Sequence, residues 1–404
     1  MNADFFTNNR AALATRLGGG ALVVVTGYGE MQRTGDTAHL FEQEANFWYL
    51  TGIESPDWQL IMVGKKAWLV APELDEIKIT FDGSLAPQEA TRISGIKEII
   101  SKNDALALLR QLRRQHSVVY VPQVNRHLQE YTHFFFNPTL QKAERQLEMV
   151  FERIVDCTRD LAQLRAIKQP EEIKAIQKAI DITAEAFSAL AASLPKLQYE
   201  YEAEATMSYE IRRRGAAGHA YSPIVAGSHH ACTLHYVANN DRLNKKHMLL
   251  MDVGAKYNGY AADITRTYMA HQPTKRQQAV YDAVLKAQGE CIKLVKPGVS
   301  FADFQDRVDE IMTEAVTSLG FKADDLHEYF PHAIGHGLGI DVHDSLGGLE
   351  HMKPGMVITV EPGIYIEEEG IGVRIEDDIL VTELGHKNLS ARISKDLCIL
   401  GNKK

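Results

Sequence analysis

Two stretches of this chain follow one plan: HMLLMDVGAKYNGYAADITRTY at 247–268 and GMVITVEPGIYIEEEGIGVRIEDDIL at 355–380. Each begins with an apolar run that reads as a buried strand and ends that run on an acid. Each then turns through glycine and returns along a second strand carrying another acid, so Asp252 corresponds to Glu361 and Asp263 to Glu376. In the first stretch the Asn-Gly pair favours a tight hairpin turn. Each stretch also follows a helical segment, AEATMSYEIRRRGA in one case and FADFQDRVDEIMTEAVTSLG in the other. A lone ionised carboxylate among core side chains costs several kcal/mol. An ion pair with Arg266, or exposure at the strand ends, could answer for one such acid. Two related α-plus-β halves facing each other would aim four carboxylates at one point, and four converging acids make a cation site.

Between the two stretches, PHAIGHGLGIDVHD supplies His332, His336 and His343, with glycines at 335, 337 and 339 flanking His336. Glycine there suggests backbone packed closely around the imidazole. The helical HExxH zinc arrangement is absent. Four carboxylates and one imidazole carry too much negative charge for one divalent ion but suit two ions that share carboxylates. Oxygen-rich ligands with a single imidazole favour manganese or cobalt. Two such ions roughly 3.5–4 Å apart activate water and polarise a carbonyl, which is the chemistry of a hydrolase.

The rest of the chain sets the frame. A length of 404 residues suggests two or three domains. A net charge of -9 argues against a nucleic-acid or anionic-membrane partner. No run approaches the roughly 18 apolar residues of a membrane span, and MNADFFTNNR lacks the apolar segment of a signal peptide. Cys157, Cys232, Cys291 and Cys398 form no CxxC pair, which suits a reducing compartment. The expectation is a cytoplasmic, soluble protein. In the N-terminal part, ALVVVTG, QLIMVG and KAWLVAPE read as strands and DALALLRQLRRQ as a helix. Pro170, Glu171 and Glu172 then open a long helix, since proline fits a first turn and acids favour the positive end of the dipole. The domain boundary is expected near residue 160, giving domains 1–160 and 161–404.

With these motifs in order, the sequence resembles the proline-specific peptidases of the pita-bread, methionine-aminopeptidase-like superfamily, Xaa-Pro aminopeptidase and Xaa-Pro dipeptidase. The resemblance covers nearly the whole chain. It implies an α/β fold with an N-terminal creatinase-like domain on a mixed sheet, then a pita-bread domain of two pseudo-symmetric α+β halves. It implies Asp252, Asp263, His336, Glu361 and Glu376 as ligands of two divalent ions, with Asp263 and Glu376 bridging; manganese leads, with cobalt or zinc as alternatives. It makes His235, in TLHYVANN, a substrate-binding histidine, and His332 and His343 a pair that contacts substrate and assists proton transfer or carbonyl polarisation. Glu361 would also move a proton. Arg374 stands two before Glu376, and a strand would put both on one face, so its guanidinium is expected to tie down that carboxylate. Small peptides with proline at the second position are the implied substrates, and a homo-oligomer, dimer or tetramer, the implied assembly.

The N-terminal half fits the family more loosely. FEQEANFWYLTGIESPDWQLI matches its FWYLTG segment, but Phe81 replaces a tryptophan in ITFDGSLAP and Glu42 stands where arginine is common. Trp48 either lines the substrate cleft or packs in the domain core. Tyr365 either touches substrate or packs. His229, His230, His327 and His351 match no family role and read as surface or loop residues, and Glu367 to Glu369 as a solvated hairpin tip. Three readings stay open: an Xaa-Pro aminopeptidase, an Xaa-Pro dipeptidase, or a non-catalytic pita-bread binding module, which lost ligands would betray.

Overall fold

The computed structural model describes residues 1–123 and 133–397; Cys398 lies outside them. The chain divides into two compact units, Met1–Leu164 and Arg165–Lys404. In the first, strands β1 (Leu22–Thr26), β2 (Gln59–Val63), β3 (Lys66–Val70), β4 (Glu98–Ile100), β5 (Val118–Val121) and β6 (Arg153–Asp156) form one mixed sheet. Its order is β4-β3-β2-β1-β5-β6, and β2 alone runs against the others. Leu22, Val24, Ile61, Trp68 and Val70 share one apolar cluster with Leu109 and Leu147 from the helices Lys102–Leu112 and Pro138–Glu148. Trp48 is buried, its ring edge-on to Phe6 at 5.6 Å, so it packs within this unit. Phe81 is exposed.

The second unit repeats a motif. Helices α1 (Pro170–Ser193) and α2 (Glu200–Arg213) precede a three-stranded sheet of β7 (Ile224–Gly227), β8 (Leu249–Asp252) and β9 (Thr265–Tyr268). Helices α3 (Lys275–Leu294) and α4 (Phe301–Ser318) precede β10 (Val357–Val360), β11 (Gly363–Ile366), β12 (Ile371–Arg374), β13 (Asp377–Thr382) and β14 (Gly385–Asn388). Here β10, β13 and β14 form the matching sheet and β11 pairs with β12. Pro170 starts α1, where a capping box between Gln169 and Glu172 satisfies backbone N–H groups that have no helical partner. Between β8 and β9 the chain makes the expected tight turn at Asn258 and Gly259, both at positive φ, with Tyr257 opposite Tyr260.

Each buried Leu, Ile or Met of these strands contributes about 1.5–3 kcal/mol, whereas a buried carboxylate left uncompensated costs several. The acids accordingly occupy the places where the strands stop. Asp252 is the last residue of β8, Glu361 follows β10, and Asp263 and Glu376 lie just before β9 and β13. Neither of the last two lies inside a strand, which corrects the reading of Asp263 as part of a continuous returning strand.

Candidate active site

The strand ends converge. One ligand atom each from Asp263, His336 and Glu376 lie within 4.8 Å of one another. His336 Nε2 stands 3.4 Å from Glu361 Oε1 and 3.6 Å from Asp263 Oδ2. Asp252 joins from β8, receiving the Arg374 guanidinium at 2.8 Å and the Tyr221 hydroxyl at 2.5 Å. Threonines hold the glutamates: Thr265 Oγ1 donates to Glu376 at 2.7 Å, and Thr359 Oγ1 donates to Glu361 at 3.1 Å while accepting the His336 N–H.

Arg374 does not bond Glu376 directly. Its strand ends at Arg374 and the next begins at Asp377, so the two side chains do not share a strand face. The guanidinium instead reaches Asp252 and Tyr365, and its Nε donates to Thr265 Oγ1, which passes a hydrogen bond on to Glu376. Arg266 does not neutralise Asp263 either; it pairs with Asp377 at 2.7 Å. The Asp263 backbone N–H donates to Asp378, and Asp263 Oδ1 is buried without a hydrogen-bond partner.

The electrostatics fit a cation. Desolvation, then the neighbouring acids, push Asp263 and Glu376 well above the usual carboxylate range. Glu361 rises to about 8, by desolvation against the pull of Arg374. His336 Nδ1 lies 3.1 Å from the Gly337 carbonyl, which can only accept, so Nδ1 carries the proton and Nε2 presents a lone pair to two carboxylates. Desolvation pushes this imidazole down to about 4, so protonation does not relieve the clash. A neutral imidazole lone pair facing clustered carboxylates, which burial and mutual repulsion make reluctant to ionise without a counter-charge, is an arrangement that a divalent ion would stabilise. The residues present therefore fit the metal that this pattern implies.

His332 lies beside this cluster. Its Nδ1 donates to Ala333 O at 2.8 Å, which leaves Nε2 to accept the Tyr365 hydroxyl at 2.9 Å, while that hydroxyl oxygen accepts from Arg374 at 3.0 Å. Desolvation, then Arg374, lower His332 to about 4. His343 is exposed, its ring centroid 4.0 Å from that of His336. His235 is also exposed, on a loop anchored by Glu200, whose buried carboxylate accepts from Gly227 N, Asp241 N and the Tyr236 hydroxyl. Tyr365 thus takes a place in the site that the sequence left undecided. Tyr221, Thr265, Thr359 and Glu200 went unforeseen, because nothing in their local sequence marks a hydrogen bond made across the fold. His229, His327 and His351 are exposed, whereas His230 is half-buried, stacked on Tyr236 and 3.4 Å from Glu200. Of the hairpin tip, Glu369 is paired with Arg276.

Comparison with known proteins identifies the family and the fold. Residues 174–383 match metallopeptidase family M24, and residues 6–120 match the aminopeptidase P N-terminal domain. The Xaa-Pro aminopeptidase of Haemophilus influenzae is 34% identical over 92% of this chain and 90% of its own length. The Xaa-Pro dipeptidase of Pyrococcus furiosus is 31% identical over 85% of this chain and 90% of its own. The structure of E. coli aminopeptidase P with the inhibitor Pro-Leu superposes with a TM-score of 0.86 at 29% identity, covering 98% of this chain and 96% of that one. The fold expected from the sequence, a mixed-sheet N-terminal domain followed by a metallopeptidase domain of two α+β halves, is the one observed.

Proposed function

We propose that this chain, which belongs to metallopeptidase family M24, is an Xaa-Pro aminopeptidase that releases the first residue from peptides with proline second. The single observation that carries the reading is the neutral His336 Nε2 facing Asp263 and Glu361, with Glu376 in the same cluster. In this proposal Asp252, Asp263, His336, Glu361 and Glu376 hold two divalent ions, manganese by preference because oxygen ligands outnumber the one imidazole. When bound, such ions supply an activated water at neutral pH and polarise the scissile carbonyl.

The remaining work belongs to side chains. The bond before proline is a tertiary amide, and proline's ring fixes the local backbone. Its nitrogen leaves poorly unless protonated, so a proton must be delivered as the bond breaks. Glu361, held by Thr359, takes a proton from the attacking water and passes it to the proline nitrogen. His235 and His332 bound the substrate, and His343 donates to the carbonyl oxygen as negative charge develops there. Burial keeps the His332 ring neutral, and Ala333 O and Tyr365 orient it, which suits contact with an apolar proline. Arg374 donates to Asp252 and, through Thr265, fixes Glu376.

A dipeptidase activity is the second reading, favoured by the Pyrococcus furiosus relative. Hydrolysis of Xaa-Pro, Xaa-Pro-Xaa and Xaa-Ala-Xaa peptides with manganese supplied separates the readings. Tripeptide cleavage well above dipeptide cleavage supports the aminopeptidase. Dipeptide cleavage alone supports the second reading, and equal rates on alanine substrates refute both. Among the described residues no helix is long and apolar enough to cross a membrane. A cytoplasmic location and assembly as a dimer or tetramer belong to the same proposal, checked by cell fractionation and light scattering.

A further inference from the structure

Beyond the cation cluster, the second unit buries a second group of charges. The Asp344 carboxylate accepts from Arg165 Nη2 at 2.8 Å and faces Lys168 Nζ at 3.4 Å, and the three side chains are only 2%, 6% and 1% exposed. The same Arg165 nitrogen also reaches Asp341 at 2.5 Å. Buried pairs of this kind contribute little net stability, because apolar residues of similar volume would serve as well; the best-attested reason to keep one is that it specifies a conformation.

The conformation specified here is the loop from Gly337 to Asp344. The Asp344 N–H donates to Gly337 O at 2.8 Å and the Gly339 N–H to Asp341 O at 3.1 Å, closing the loop on itself. The Leu338 N–H donates to Val357 O, tying the loop to β10, and the Ala261 N–H donates to Gly339 O, tying it to the hairpin that leads to Asp263. A Cβ on Gly337 would collide with the Asp344 carbonyl, and one on Gly339 with the Asp344 carboxylate, so both glycines are required by the closeness of Asp344. Lys168 is itself pinned, its N–H donating to Gly355 O at 2.9 Å. His343 stands between Asp341 and Asp344 in the chain, its ring 4.0 Å from that of His336 and tilted by 43°.

We infer that Asp344, gripped by Arg165 and Lys168, is a positioning residue that holds the His343 imidazole over the cation cluster. The inference rests on the proposed role of His343 at the substrate carbonyl. A rigid loop costs nothing to order during reaction, and a misplacement of about 1 Å at such a group lowers rate about 10²-fold.

The test is a double-mutant cycle in the metal-loaded enzyme, with Asp344→Asn and His343→Ala made singly and together. Asp344→Asn is expected to lower kcat by about 10²-fold, with KM within about twofold and metal per chain unchanged. In the His343→Ala background the same change should then cost less than about threefold, because residues acting as one unit are non-additive. Equal losses in both backgrounds, or a loss that follows metal content, overturn the inference. Should Asp344→Asn fail to fold, Arg165→Lys keeps the charge and removes the fork that spans two carboxylates. It should show the same background dependence at about tenfold. Histidine NMR provides a readout independent of turnover: the His343 ring resonance, identified through His343→Ala, should move in either variant while that of His336 stays. If the wild-type chain cleaves no Xaa-Pro peptide, the peptidase reading fails, and an unmoved His343 resonance still overturns the positioning role.

Discussion

Arg266, in the first half of the second unit, reaches across to Asp377 in the second half at 2.7 Å. Arg374, in the second half, reaches back to Asp252 in the first at 2.8 Å. Both pairs are buried and both cross the same seam, yet their surroundings differ. Arg266 also donates to the carbonyls of Thr265, Glu376, Ser394 and Ile393, and Asp377 also receives Lys395 at 2.5 Å and Asn388 at 2.7 Å. On that side cations match the acid. Around Arg374, one guanidinium faces Asp252 with Asp263, Glu361 and Glu376 nearby, and cations fall short. Adjacent residues record the difference. Burial alone would raise Asp377, but Arg266 and Lys395 outweigh it and hold the carboxyl below its usual value. Glu376, one residue earlier, is pushed well above its usual value by burial and its acidic neighbours. One side is balanced for folding, and the other is left deficient in positive charge for an ion to complete.

The sharpest way to break this contrast is to mutate the adjacent acids in turn. Glu376→Ala should lower Xaa-Pro turnover by roughly 10³-fold or more, because metal activation of water and carbonyl polarisation are lost together. Its metal-free form should be no less stable than the wild type, since a repelling acid is gone. Chelation of the wild type, followed by assay and metal analysis, should reproduce the loss of activity. Full activity in verified metal-free protein would refute the contrast. On the other side, Arg266→Met should lower unfolding stability by about 3–5 kcal/mol, the usual cost of removing one partner from a buried pair. Urea unfolding checks this. Turnover per folded, metal-loaded molecule should change less than about threefold, because the fold rather than the reaction uses this arginine.

The same contrast explains what could be read from the sequence. The repeat exposed the two-halved fold and the four acids, because strand patterning and an acid at the end of an apolar run are local signals. His336 was legible because glycines crowd it at fixed spacing. The partners of the two arginines were not legible. Arg266 stands three residues from Asp263 and Arg374 two from Glu376, so sequence proximity suggested those pairings. Strand interruptions at Asp263 and Glu376 rotate the side chains away, and each arginine crosses to the other half instead. Glu200, Tyr221 and Asp344 were hidden for the same reason: each acts on a residue distant in the chain.

Arg374→Met sharpens the contrast from the site side. It leaves Asp252 buried with only Tyr221 to hold it and removes the bond that orients Thr265 toward Glu376. Removing such a supporting contact commonly costs 10–100-fold in metal affinity or activity. The expected result is a loss in that range, about 10–100-fold, in kcat/KM or in the metal concentration needed for half activity. A drop in stability comparable to that of Arg266→Met, with normal turnover, would show that the two arginines do the same job.

A smaller effect comes from a buried carboxylate with no arginine at all. Glu172 accepts from the Gln169 N–H and from the Tyr260 hydroxyl at 2.8 Å. Burial raises it to about 7, with those hydrogen bonds and Lys168 offsetting part of the cost. In the unfolded chain an ordinary glutamate titrates near 4.3. Between roughly pH 4.3 and 7 the folded state therefore binds more protons than the unfolded state, and stability falls as pH rises. Below that window the Glu172 contribution is fully present; above it the contribution is lost and the curve is flat. One proton limits the slope to about 1.4 kcal/mol per pH unit. Glu172→Gln removes the titration, so urea midpoints measured from pH 5 to 8 should show the variant gaining on the wild type up to about pH 7 and no further. Midpoints that instead stay a constant distance apart from pH 5 to 8 would mean that Glu172 is already ionised in the fold and held by Lys168, as Asp377 is held by Arg266.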